Sequence, residues 1–565
     1  MKNVFEYSKM SENMMTVEYE LPFASRRIDV MVFGEDELKK GNVVLVELKQ
    51  WSNEKVRDCE ADGNLQVEYS WGWEVKPHPS LQVEGYYYGL TDYNTAFQED
   101  GKLELSGCAY CHNYTNKSNN LLQSEKFRND IQKYPVFLKE EVPNLSEYIR
   151  KRLSHGDGAE VLKKFNYSPI RPSKKLLEHT KEMLNQQQVF NLIDDQIVAY
   201  NAIMHNAKKL AKDGKKSVII VKGGPGTGKS VIALQVMAEL MSMNKIPYHA
   251  TGSSAFTKTL QKILGSRLKD RFRFFYSFSK HQDNEIDVLI CDEAHRIRKD
   301  SNNYGVPNQF RSKEPQINDL IRPAMMSIFF IDEHQVVRPN EVGSTQLIRD
   351  SAKKFDAEIS EFDLKTQFRC SGSDSFLQWV ENILGITETE KQFLEKNERM
   401  DFKIFSSPLD LKAAIDQKNL EKKNCARIVA GFNWRWSEPK PDKSLVNDVV
   451  IGDFKMPWEQ KNDFWKWATD DTGMQQVGTV YTAQGFEFDY IGVIFGEDLV
   501  YEPKLGKWKS NPDKSFDNMV KRNNSKFTQH LQNVYRVLMS RAHKGCYVYF
   551  MDKNTENYFR SKIRP

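Results

Sequence analysis

The sequence contains no run of 18 apolar residues, and its N-terminus does not show a charged segment followed by an apolar one. A transmembrane helix needs about 20 apolar residues, and a secretory signal peptide needs the charged and apolar leader. We therefore expect neither a membrane span nor export, so the expected location is the cytoplasm.

Cysteine is scarce, and so is an excess of charge of one sign. Seven cysteines are scattered over 565 residues, and the net charge is only +4. An odd, dispersed set of cysteines does not resemble a disulfide framework, so reduced thiols are expected. The charge balance is too mild to identify a nucleic-acid binder. Any such function has to be found in specific sites.

Two apolar strands near the N-terminus carry charged residues. Residues 26–34, RRIDVMVFG, alternate in polarity and place Asp29 on one face of a strand. Residues 43–51, VVLVELKQW, form a second strand on which Glu47 and Lys49 share a face. The glycine-containing segment between them predicts a turn, so the hairpin brings the three charged residues together. Two carboxylates suit Mg²⁺ or Mn²⁺, and a lysine beside bound water can orient a nucleophile that cleaves phosphodiesters.

An isolated Glu-x-Lys pair is also typical of an exposed salt bridge. The segment that follows favours a site, because residues 78–90 predict a helix with Gln82 and Tyr86 on one face. The order of an aspartate, then Glu-Leu-Lys, then Gln-x-x-x-Tyr resembles the RecB-like branch of the PD-(D/E)XK nucleases over roughly residues 1–120. The resemblance implies that the acidic pair holds the metal and that the lysine serves the attacking water. It also implies that the glutamine and tyrosine face the substrate strand or brace the site.

The resemblance leaves one acidic residue open. Members of the nuclease family often carry a further acid on the first helix, and here Glu6, Glu18 and Glu20 all qualify. Nothing in the sequence chooses between these three residues.

The segment CAYCH, residues 108–112, has the spacing of a haem-attachment or zinc-binding motif. Zinc would need two more ligands, for which Cys59 and His112 are the nearby residues, and haem attachment of this type belongs outside the cytosol. Some RecB-like nucleases hold an iron–sulfur cluster on four cysteines, whereas this region has three. We interpret these cysteines as packing or surface residues.

The most specific stretch is KKSVIIVKGGPGTGKSVIALQVMAEL, residues 215–240. An apolar strand leads into a glycine-rich loop and then into a helical pattern, which is the order of a P-loop. Backbone N–H groups of such a loop bind phosphates, Lys229 would reach the β- and γ-phosphates, and Ser230 would be a ligand of Mg²⁺. The predicted ATP-binding residues of the loop are Gly223, Gly224, Pro225, Gly226, Thr227, Gly228, Lys229 and Ser230.

A second acidic strand complements the loop. Residues 285–297, EIDVLICDEAHRI, predict a buried strand with Asp292 and Glu293 at its carboxyl end, where open α/β sheets bind ligands. Asp292 would hold Mg²⁺ through water, and Glu293 would polarise the hydrolytic water. A P-loop and an acidic strand alone would equally fit a kinase, a transporter ATPase or a GTPase.

Four later segments narrow the choice. Residues 328–335, 364–369, 477–495 and 533–550 resemble, in order and character, motifs III to VI of the superfamily 1 helicases. The residues that carry these motifs are Gln335, Arg369, Thr482, Gln484, Gly485, Glu487 and Arg541.

The helicase resemblance implies roles for several of these residues. Gln196, in the stretch Asp-Asp-Gln before the P-loop, would read adenine, and Gln335 would sense the γ-phosphate. Arg369 and Arg541 would act as arginine fingers on ATP bound between two domains. Two departures are Ile331, where the family usually has glycine, and the tetrapeptide DEAH, which is commoner in another helicase superfamily.

Nucleic-acid contacts are less specific. Residues 266–278, SRLKDRFRFFYSF, mix arginines with aromatic residues. This mixture allows stacking on a strand, but it also fits a strand with arginines in solvent and aromatics in the core, which we favour.

The predicted fold class is α/β, with a restriction-endonuclease-like domain followed by two RecA-like P-loop domains. We place the nuclease-like domain at residues 1–150 and a linker with one helix at 151–185. The first RecA-like domain spans 186–350, with the P-loop and DEAH motif, and the second spans 351–565. A surface insertion is expected at 501–526.

The helicase half resembles the Schlafen group 3 helicase domain, and the whole arrangement resembles the nuclease-helicase immunity (Nhi) proteins of bacterial anti-phage defence. The resemblance implies ATP, Mg²⁺ with Mn²⁺ possible at the nuclease site, and single- or double-stranded DNA as partner, with RNA possible. The alternatives are a Schlafen-type ATP-gated RNA or tRNA nuclease that does not translocate, a DNA-repair enzyme, and a binding scaffold with an inactive nuclease. The sequence does not determine the direction of translocation, the preference for DNA or RNA, endo- or exonuclease action, or the oligomeric state.

Overall fold

The structure, a computed structural model, describes residues 12–21, 26–98, 103–116, 120–155, 157–168, 176–185, 190–213, 215–303, 305–366, 374–395, 399–461, 463–521 and 524–564. The chain packs as two units. Met1–Lys174 with Gln188–Lys209 form the first unit, and Lys175–Gln187 with Leu210–Pro565 form the second. The predicted boundaries instead assigned residues 188–209 to the first RecA-like domain. These domain boundaries stay a prediction.

Eight strands form two sheets in the first unit. The larger sheet has the order β1-β2-β3-β7-β8, and the smaller antiparallel sheet has the order β4-β5-β6. β1, β2 and β3 are antiparallel neighbours, whereas β3, β7 and β8 run parallel. The strands are β1 Met14–Glu20, β2 Arg27–Glu35, β3 Gly41–Lys49, β4 Val56–Asp58, β5 Asn64–Tyr69, β6 Gly72–Pro77, β7 Glu104–Cys111 and β8 Val136–Leu138.

Two parallel sheets form the framework of the second unit. One has six strands in the order β11-β10-β12-β13-β9-β14, and the other has five in the order β15-β23-β20-β16-β19. Two small hairpins, β17-β18 and β21-β22, complete the set. The strands are β9 Ser217–Gly223, β10 Pro247–Thr251, β11 Phe272–Phe274, β12 Ile286–Asp292, β13 Ala324–Ile331, β14 Glu358–Leu364, β15 Asp401–Phe405, β16 Ala426–Ala430, β17 Val449–Ile451, β18 Phe454–Met456, β19 Val477–Gly478, β20 Phe488–Phe495, β21 Leu499–Glu502, β22 Lys507–Ser510 and β23 Ala542–Phe550.

The helices of the described residues lie between and around these strands. They are α1 Pro79–Tyr93, α2 Arg128–Lys133, α3 Val142–Arg152, α4 Gly158–Tyr167, α5 Leu176–Leu184, α6 Asp195–Asp213, α7 Lys229–Ser242, α8 Ser254–Leu268, α9 Gln316–Ile321, α10 Thr345–Lys354, α11 Asp374–Ile383, α12 Pro408–Glu421, α13 Val480–Ala483, α14 Asn518–Lys521, α15 Phe527–Met539 and α16 Lys553–Ser561. No helix of the described residues is both long enough and apolar enough to cross a membrane.

Different helices bury the two faces of the larger sheet in the first unit. Val46 and Cys108 pack with Leu145 of α3 on one face, while Val83 of α1 packs with Cys111 on the other. Side chains three apart on a strand point to opposite faces, so the two cysteines of the CAYCH segment lie in separate apolar cores. Within the described part of the chain no group of three or more His, Cys, Asp or Glu side chains could hold a metal ion.

The central strands of the six-stranded parallel sheet are continuous apolar runs of the sequence. β9, β12 and β13 are apolar runs with fully buried residues on both faces, as expected for central strands covered by helices on both sides. The predicted α/β class with parallel sheets is therefore confirmed. Residues 266–278 follow the favoured interpretation only in part. Phe272, Phe275 and Phe278 are buried, but the strand is limited to Phe272–Phe274, and Arg271 and Arg273 lie over the Tyr248 ring. The expected insertion at 501–526 contains most of the β21-β22 hairpin.

Candidate functional site

β9 leads into the glycine-rich loop at the carboxyl edge of the six-stranded sheet. Gly226 and Gly228 have φ angles of 77° and 81°, in the left-handed region that residues with a Cβ rarely adopt. α7 begins at Lys229, directly after the loop. The backbone N–H groups of the loop and the positive end of the helix dipole are therefore in one place, as phosphate binding requires.

Lys229 and Ser230 connect this loop with its surroundings. The Lys229 ammonium donates to the carbonyl oxygens of Gly223 and Gly224, at 2.7 Å each. Ser230 Oγ donates to Asp292 Oδ2 at 2.6 Å. Since β13 lies between β9 and β12 in the sheet, the loop and the acidic strand end face each other across the end of one strand.

The acidic pair at the end of β12 is buried. Burial alone would raise the pKa of Asp292, but His249 and the Ser230 hydroxyl lower it below its usual value. Glu293 has a left-handed φ of 54°, a strained conformation that occurs preferentially at functional sites. Its Oε2 makes no hydrogen bond within the described residues, although His295 Nε2 is 3.3 Å away.

Asp332, directly after β13, contacts Arg536, a residue that the sequence analysis did not single out. Gln335 Nε2 donates to Asp332 Oδ2 at 2.8 Å, and Arg536 Nη1 of α15 lies 3.5 Å from the same oxygen. Arg536 also contacts Glu381 Oε1 with Nη2 at 2.5 Å and Nε at 2.8 Å. Burial alone would raise the pKa of Asp332, but the charges of Arg536 and Lys229 hold it well below its usual value.

Residues 477–495, the predicted motif V, contact the residues that follow β13. Gln484 Nε2 donates to the backbone oxygen of Gln335 at 3.1 Å. Thr482 Oγ1 instead donates to Glu459 Oε1 at 2.7 Å, a carboxylate that the sequence analysis missed. Glu487 Oε2 lies 3.1 Å from His543 Nε2.

The other predicted residues of the helicase motifs are Gly485, Arg541 and Arg369. Gly485 has a φ of 94°, which explains why glycine stands there. Arg541 is buried, and its Nε donates to Val537 O, one turn earlier, at 3.1 Å. Arg369 lies outside the described residues.

The side chains around the P-loop fit ATP with Mg²⁺. Magnesium prefers oxygen ligands, and Ser230 and Asp292 place theirs within 2.6 Å of each other. Lys229 and the loop N–H groups provide donors for the phosphates, and the buried Glu293 Oε2 has unused acceptor capacity for a hydrogen bond from water. When bound, Mg²⁺ would neutralise developing charge on the transferred phosphoryl group.

The predicted hairpin of the first unit is confirmed, since β2 and β3 pair with Val30 opposite Val46. Asp29 Oδ2 accepts the backbone N–H of Leu48 at 2.7 Å. The Lys49 ammonium contacts Glu47 Oε1 at 2.6 Å. Register and side-chain contacts thus bring all three predicted residues to the ends of two adjacent strands.

Glu47 is buried and Lys49 is half-buried, and the pKa values of both side chains are raised. Burial raises the pKa of Glu47 to about 7, even though the charge of Lys49 opposes this rise. Burial alone would lower the pKa of Lys49, but Glu47 more than offsets it and raises it. Perturbed groups of this kind cluster at functional sites, although structural ion pairs also produce them.

α1 contributes the glutamine and tyrosine of the predicted motif. Gln82 Nε2 donates to the Tyr86 hydroxyl oxygen at 2.9 Å. Burial, together with the charges of Asp194 and Glu47, holds the pKa of Tyr86 well above its usual value. The Tyr86 hydroxyl is therefore protonated at neutral pH and keeps a proton that it can donate to a bound ligand.

One carboxylate oxygen of this hairpin is free to bind a divalent cation. Glu47 Oε2 is buried and has no hydrogen-bond partner among the described residues, which is costly unless a cation or donor fills the position. Asp29 and Glu47 would hold Mg²⁺ or Mn²⁺, with water as a further ligand. The metal would lower the pKa of a bound water.

The remaining acidic candidates differ in their surroundings. Glu6 lies outside the described residues, and Glu18 and Glu20 are exposed on β1. Glu18 Oε2 lies 3.2 Å from Arg27 Nη1.

The segment that we expected to read adenine belongs to the first unit. Arg26 Nε lies 2.8 Å from Asp194 Oδ2, and its Nη2 lies 2.9 Å from Asp195 Oδ2. Gln196 is buried, and its Oε1 accepts the backbone N–H of Ile193 at 3.2 Å. A role of Gln196 in reading adenine stays a prediction.

The two parallel sheets, the P-loop and the acidic strand end define a P-loop protein. Residues 216–552, more than half of the chain, match the family described as Schlafen group 3, DNA/RNA helicase domain. The chain belongs to this family. The match begins after the predicted nuclease residues, whose assignment stays a prediction.

Individual relatives are distant. The Saccharomyces cerevisiae protein YPL245W, described as uncharacterized, is 23% identical over 381 residues, which cover 60% of this chain and 82% of that protein. The Pif1 helicase from Candida albicans aligns at 13% identity over 64% of this chain and 98% of its own, with a TM-score of 0.27. S. cerevisiae Dbp5 bound to RNA and ADP BeF3 aligns at 10% identity over 65% of this chain and 90% of its own, with a TM-score of 0.27. At these scores neither alignment supports a structural argument.

Proposed function

We propose that the chain is an ATP-driven nucleic-acid motor whose first unit cleaves phosphodiester bonds with a divalent metal. One observation carries the motor half of the proposal. Gln484, which lies in the connection between β19 and β20 of the second parallel sheet, donates to the backbone oxygen of Gln335 at the carboxyl edge of the first. Residues of both sheets therefore meet beside the P-loop, so that ATP binding and hydrolysis can change how the sheets are held together.

Each side chain has a role that follows from its position. Lys229 binds the β- and γ-phosphates, and Ser230 with Asp292 holds the magnesium ion. Glu293 accepts a hydrogen bond from the attacking water and takes its proton. Gln335 lies next to Asp332 and senses the γ-phosphate, as the family resemblance implies. Its hydrogen bond with Gln484 would pass this state to the second sheet.

The nuclease half of the proposal is supported by the hairpin of the first unit. Asp29 and Glu47 supply metal ligands, and the half-buried Lys49 orients the attacking water. Tyr86, held by Gln82, donates a hydrogen bond next to this carboxylate pair. The metal would supply the Lewis acid for in-line attack on phosphorus.

The first experiment measures ATP hydrolysis, strand displacement and strand cleavage on single- and double-stranded DNA and RNA. The wild type is compared with Lys229→Ala and Lys49→Ala, and with Lys215→Ala as an exposed control. We expect Lys229→Ala to lose ATP hydrolysis and displacement while the isolated cleavage step survives. Lys49→Ala should lose cleavage and keep ATP hydrolysis.

Each activity has its own refutation. ATP-dependent cleavage without any displacement would instead favour a Schlafen-type nuclease in which the ATPase is a switch. Intact cleavage in Lys49→Ala would remove the nuclease assignment and leave the motor untouched. A role against phage nucleic acid stays a prediction, and the same experiment decides between DNA and RNA.

A further inference from the structure

Three arginines follow the two central strands that carry the acidic motifs. Arg296 and Arg298 lie just beyond β12, and Arg338 lies just beyond β13. Arg296 is only 6% exposed, and neither its Nε nor its Nη1 has a hydrogen-bond partner within the described residues. The same holds for Arg338 Nε. Buried donors without acceptors are costly, so this cluster needs an explanation.

A buried arginine with a purely structural role looks different in this protein. Arg427 is fully buried, and its nitrogens donate to the backbone oxygens of Trp467, Ala426 and Asp470 at 2.8–3.0 Å. All three nitrogens of that guanidinium are satisfied. Arg296 lacks any such set of acceptors, so packing alone does not account for it.

The charges near this cluster are unbalanced. The buried carboxylate Glu341 is the nearest acid, and its Oε1 lies 3.4 Å from Arg296 Nε. Burial lowers the pKa of Arg296 and that of Arg298, and the charge of Arg338 lowers both further. Arg296 and Arg298 are thus repelled by Arg338 as well as attracted by Glu341, whereas at Arg338 the neighbouring Tyr481, Glu341 and Asp517 outweigh burial and raise the pKa. An anion would relieve this repulsion.

Arg338 is oriented for such an anion. Its guanidinium carbon lies 3.5 Å from the centre of the Tyr481 ring, and the Tyr481 hydroxyl donates to Asp517. Stacking uses the face of the guanidinium and leaves the N–H donors at its edge, which suit a phosphate group. Tyr481 belongs to α13 beside the second sheet, so the cluster joins residues of both parallel sheets.

The backbone also approaches this cluster closely. A Cβ on Gly252, at the end of β10, would lie 2.7 Å from Arg296 Cβ. The turn after β10 therefore passes directly over Arg296, and glycine is required there. Arg296 is held at the carboxyl edge of the sheet, the edge at which open α/β sheets bind their ligands.

We propose that Arg296, Arg298 and Arg338 bind a backbone phosphate of a single nucleic-acid strand, next to Tyr481. The inference rests on the proposed motor function and names the residues that hold the strand. Strand phosphates suit this cluster because arginine binds phosphate in a bidentate way. A free phosphate or nucleotide has the same chemistry, and the test below separates the two sources.

The test measures the affinity of the full chain for a fluorescently labelled 20-nucleotide strand, DNA or RNA, in EDTA and without nucleotide. Arg338→Gln is the main variant because this side chain is only partly buried, and Arg298→Gln is an independent second variant. Lys299→Gln removes the same charge from an exposed neighbour and serves as the control. Thermal unfolding checks that each variant is folded.

We expect Arg338→Gln to weaken strand binding about tenfold and to reduce the salt dependence of log Kd by about 0.7 per lost phosphate contact. Arg298→Gln should act in the same direction, and Lys299→Gln should stay within about twofold of the wild type. Unchanged affinity and salt slope in both arginine variants, with a wild type that binds, would overturn the inference and leave the motor proposal standing.

A second readout identifies the source of the phosphate. Binding of a fluorescent ATP analogue is measured on the same proteins. Loss of analogue binding with intact strand binding would mean that the cluster binds a free nucleotide, and the inference would be wrong. A wild type that hydrolyses ATP but binds neither DNA nor RNA would overturn the inference together with the motor proposal.

Discussion

Arg536 Nη1 lies 3.5 Å from Asp332 Oδ2, and both side chains are almost fully buried, each 2% exposed. The arginine stands on α15 next to the second parallel sheet, whereas the aspartate ends β13 of the first. Their ion pair therefore connects the two sheets at the P-loop, and Lys229 is close enough to Asp332 to lower its pKa. Any change of charge at the phosphates will alter this ion pair.

Replacement of Arg536 should uncouple the sheets. In Arg536→Gln the buried Asp332 and the half-buried Glu381 lose their cation, which leaves uncompensated charge. We expect kcat for ATP hydrolysis in the presence of nucleic acid to fall about tenfold or more, with a smaller change in KM. Arg536→Lys, which keeps the charge, should restore part of the rate.

The control for this prediction separates charge from coupling. Arg536→Gln combined with Glu381→Gln removes the cation together with one of its partners, so it should regain thermal stability but not the rate. A double variant with wild-type kcat would show that the single variant had suffered only from buried charge.

Arg541 gives an independent prediction for the same reaction. Its Nε now donates to Val537 O, and the helicase resemblance implies that it reaches the phosphates of ATP. Arg541→Lys should lower kcat by about a hundredfold or more if it is an arginine finger, and ATP affinity should change little. Single-turnover hydrolysis measures this step directly. A variant with a normal single-turnover rate would remove the arginine from the reaction.

Local patterns made part of this site predictable. The P-loop, the acidic strand and the β2-β3 hairpin each occupy a short stretch, so spacing and alternation of polarity indicate them without knowledge of the fold. The parallel sheets could be predicted in the same way, because central strands are continuous apolar runs.

Residues whose function depends on distant partners were not predictable. Arg536 and Asp332 are 204 positions apart, and no local pattern distinguishes the arginine from others on a helix. Glu459 meets Thr479 and Thr482 only after the second sheet has formed. Its surroundings in sequence resemble an ordinary loop.

The raised pKa of Glu47 predicts how metal binding depends on pH. Protons and metal compete for this carboxylate, because only the deprotonated form is a ligand. The pKa of about 7 means that the affinity for Mn²⁺ should fall by up to about tenfold per pH unit below pH 7 and level off above it. Titration calorimetry on the full chain from pH 6 to pH 8 measures this without relying on cleavage.

Two variants delimit the pH prediction. Glu47→Gln should remove most of the affinity and its pH dependence, because the amide does not titrate. Asp29→Asn should weaken binding, and the pH dependence should remain but move to lower pH, because the charge of Asp29 contributes to the raised pKa of Glu47. Equal Mn²⁺ affinity of the wild type at pH 6 and pH 8 would contradict the assignment of Glu47 as a ligand.

Glu459 predicts a pH dependence of stability in the second unit. Its carboxylate is fully buried and accepts hydrogen bonds from Thr479 N, Thr479 Oγ1 and Thr482 Oγ1 at 2.7 Å each. Burial nevertheless raises its pKa to about 7. The folded state therefore holds a proton between about pH 4.5 and 7 that the unfolded state has already released. Stability falls as pH rises through this window, by up to about 3 kcal/mol.

Glu459→Gln should cancel most of this fall, because the amide is neutral at every pH. We expect the melting temperature of the variant, relative to the wild type, to rise from pH 5 to pH 8. The exposed Glu388→Gln is the matched control and should show no such trend. Thermal unfolding followed by tryptophan fluorescence measures all three proteins in the same buffers. A constant difference between Glu459→Gln and the wild type across this range would mean that Glu459 stays ionised in the folded protein, and its three donors would then outweigh its burial.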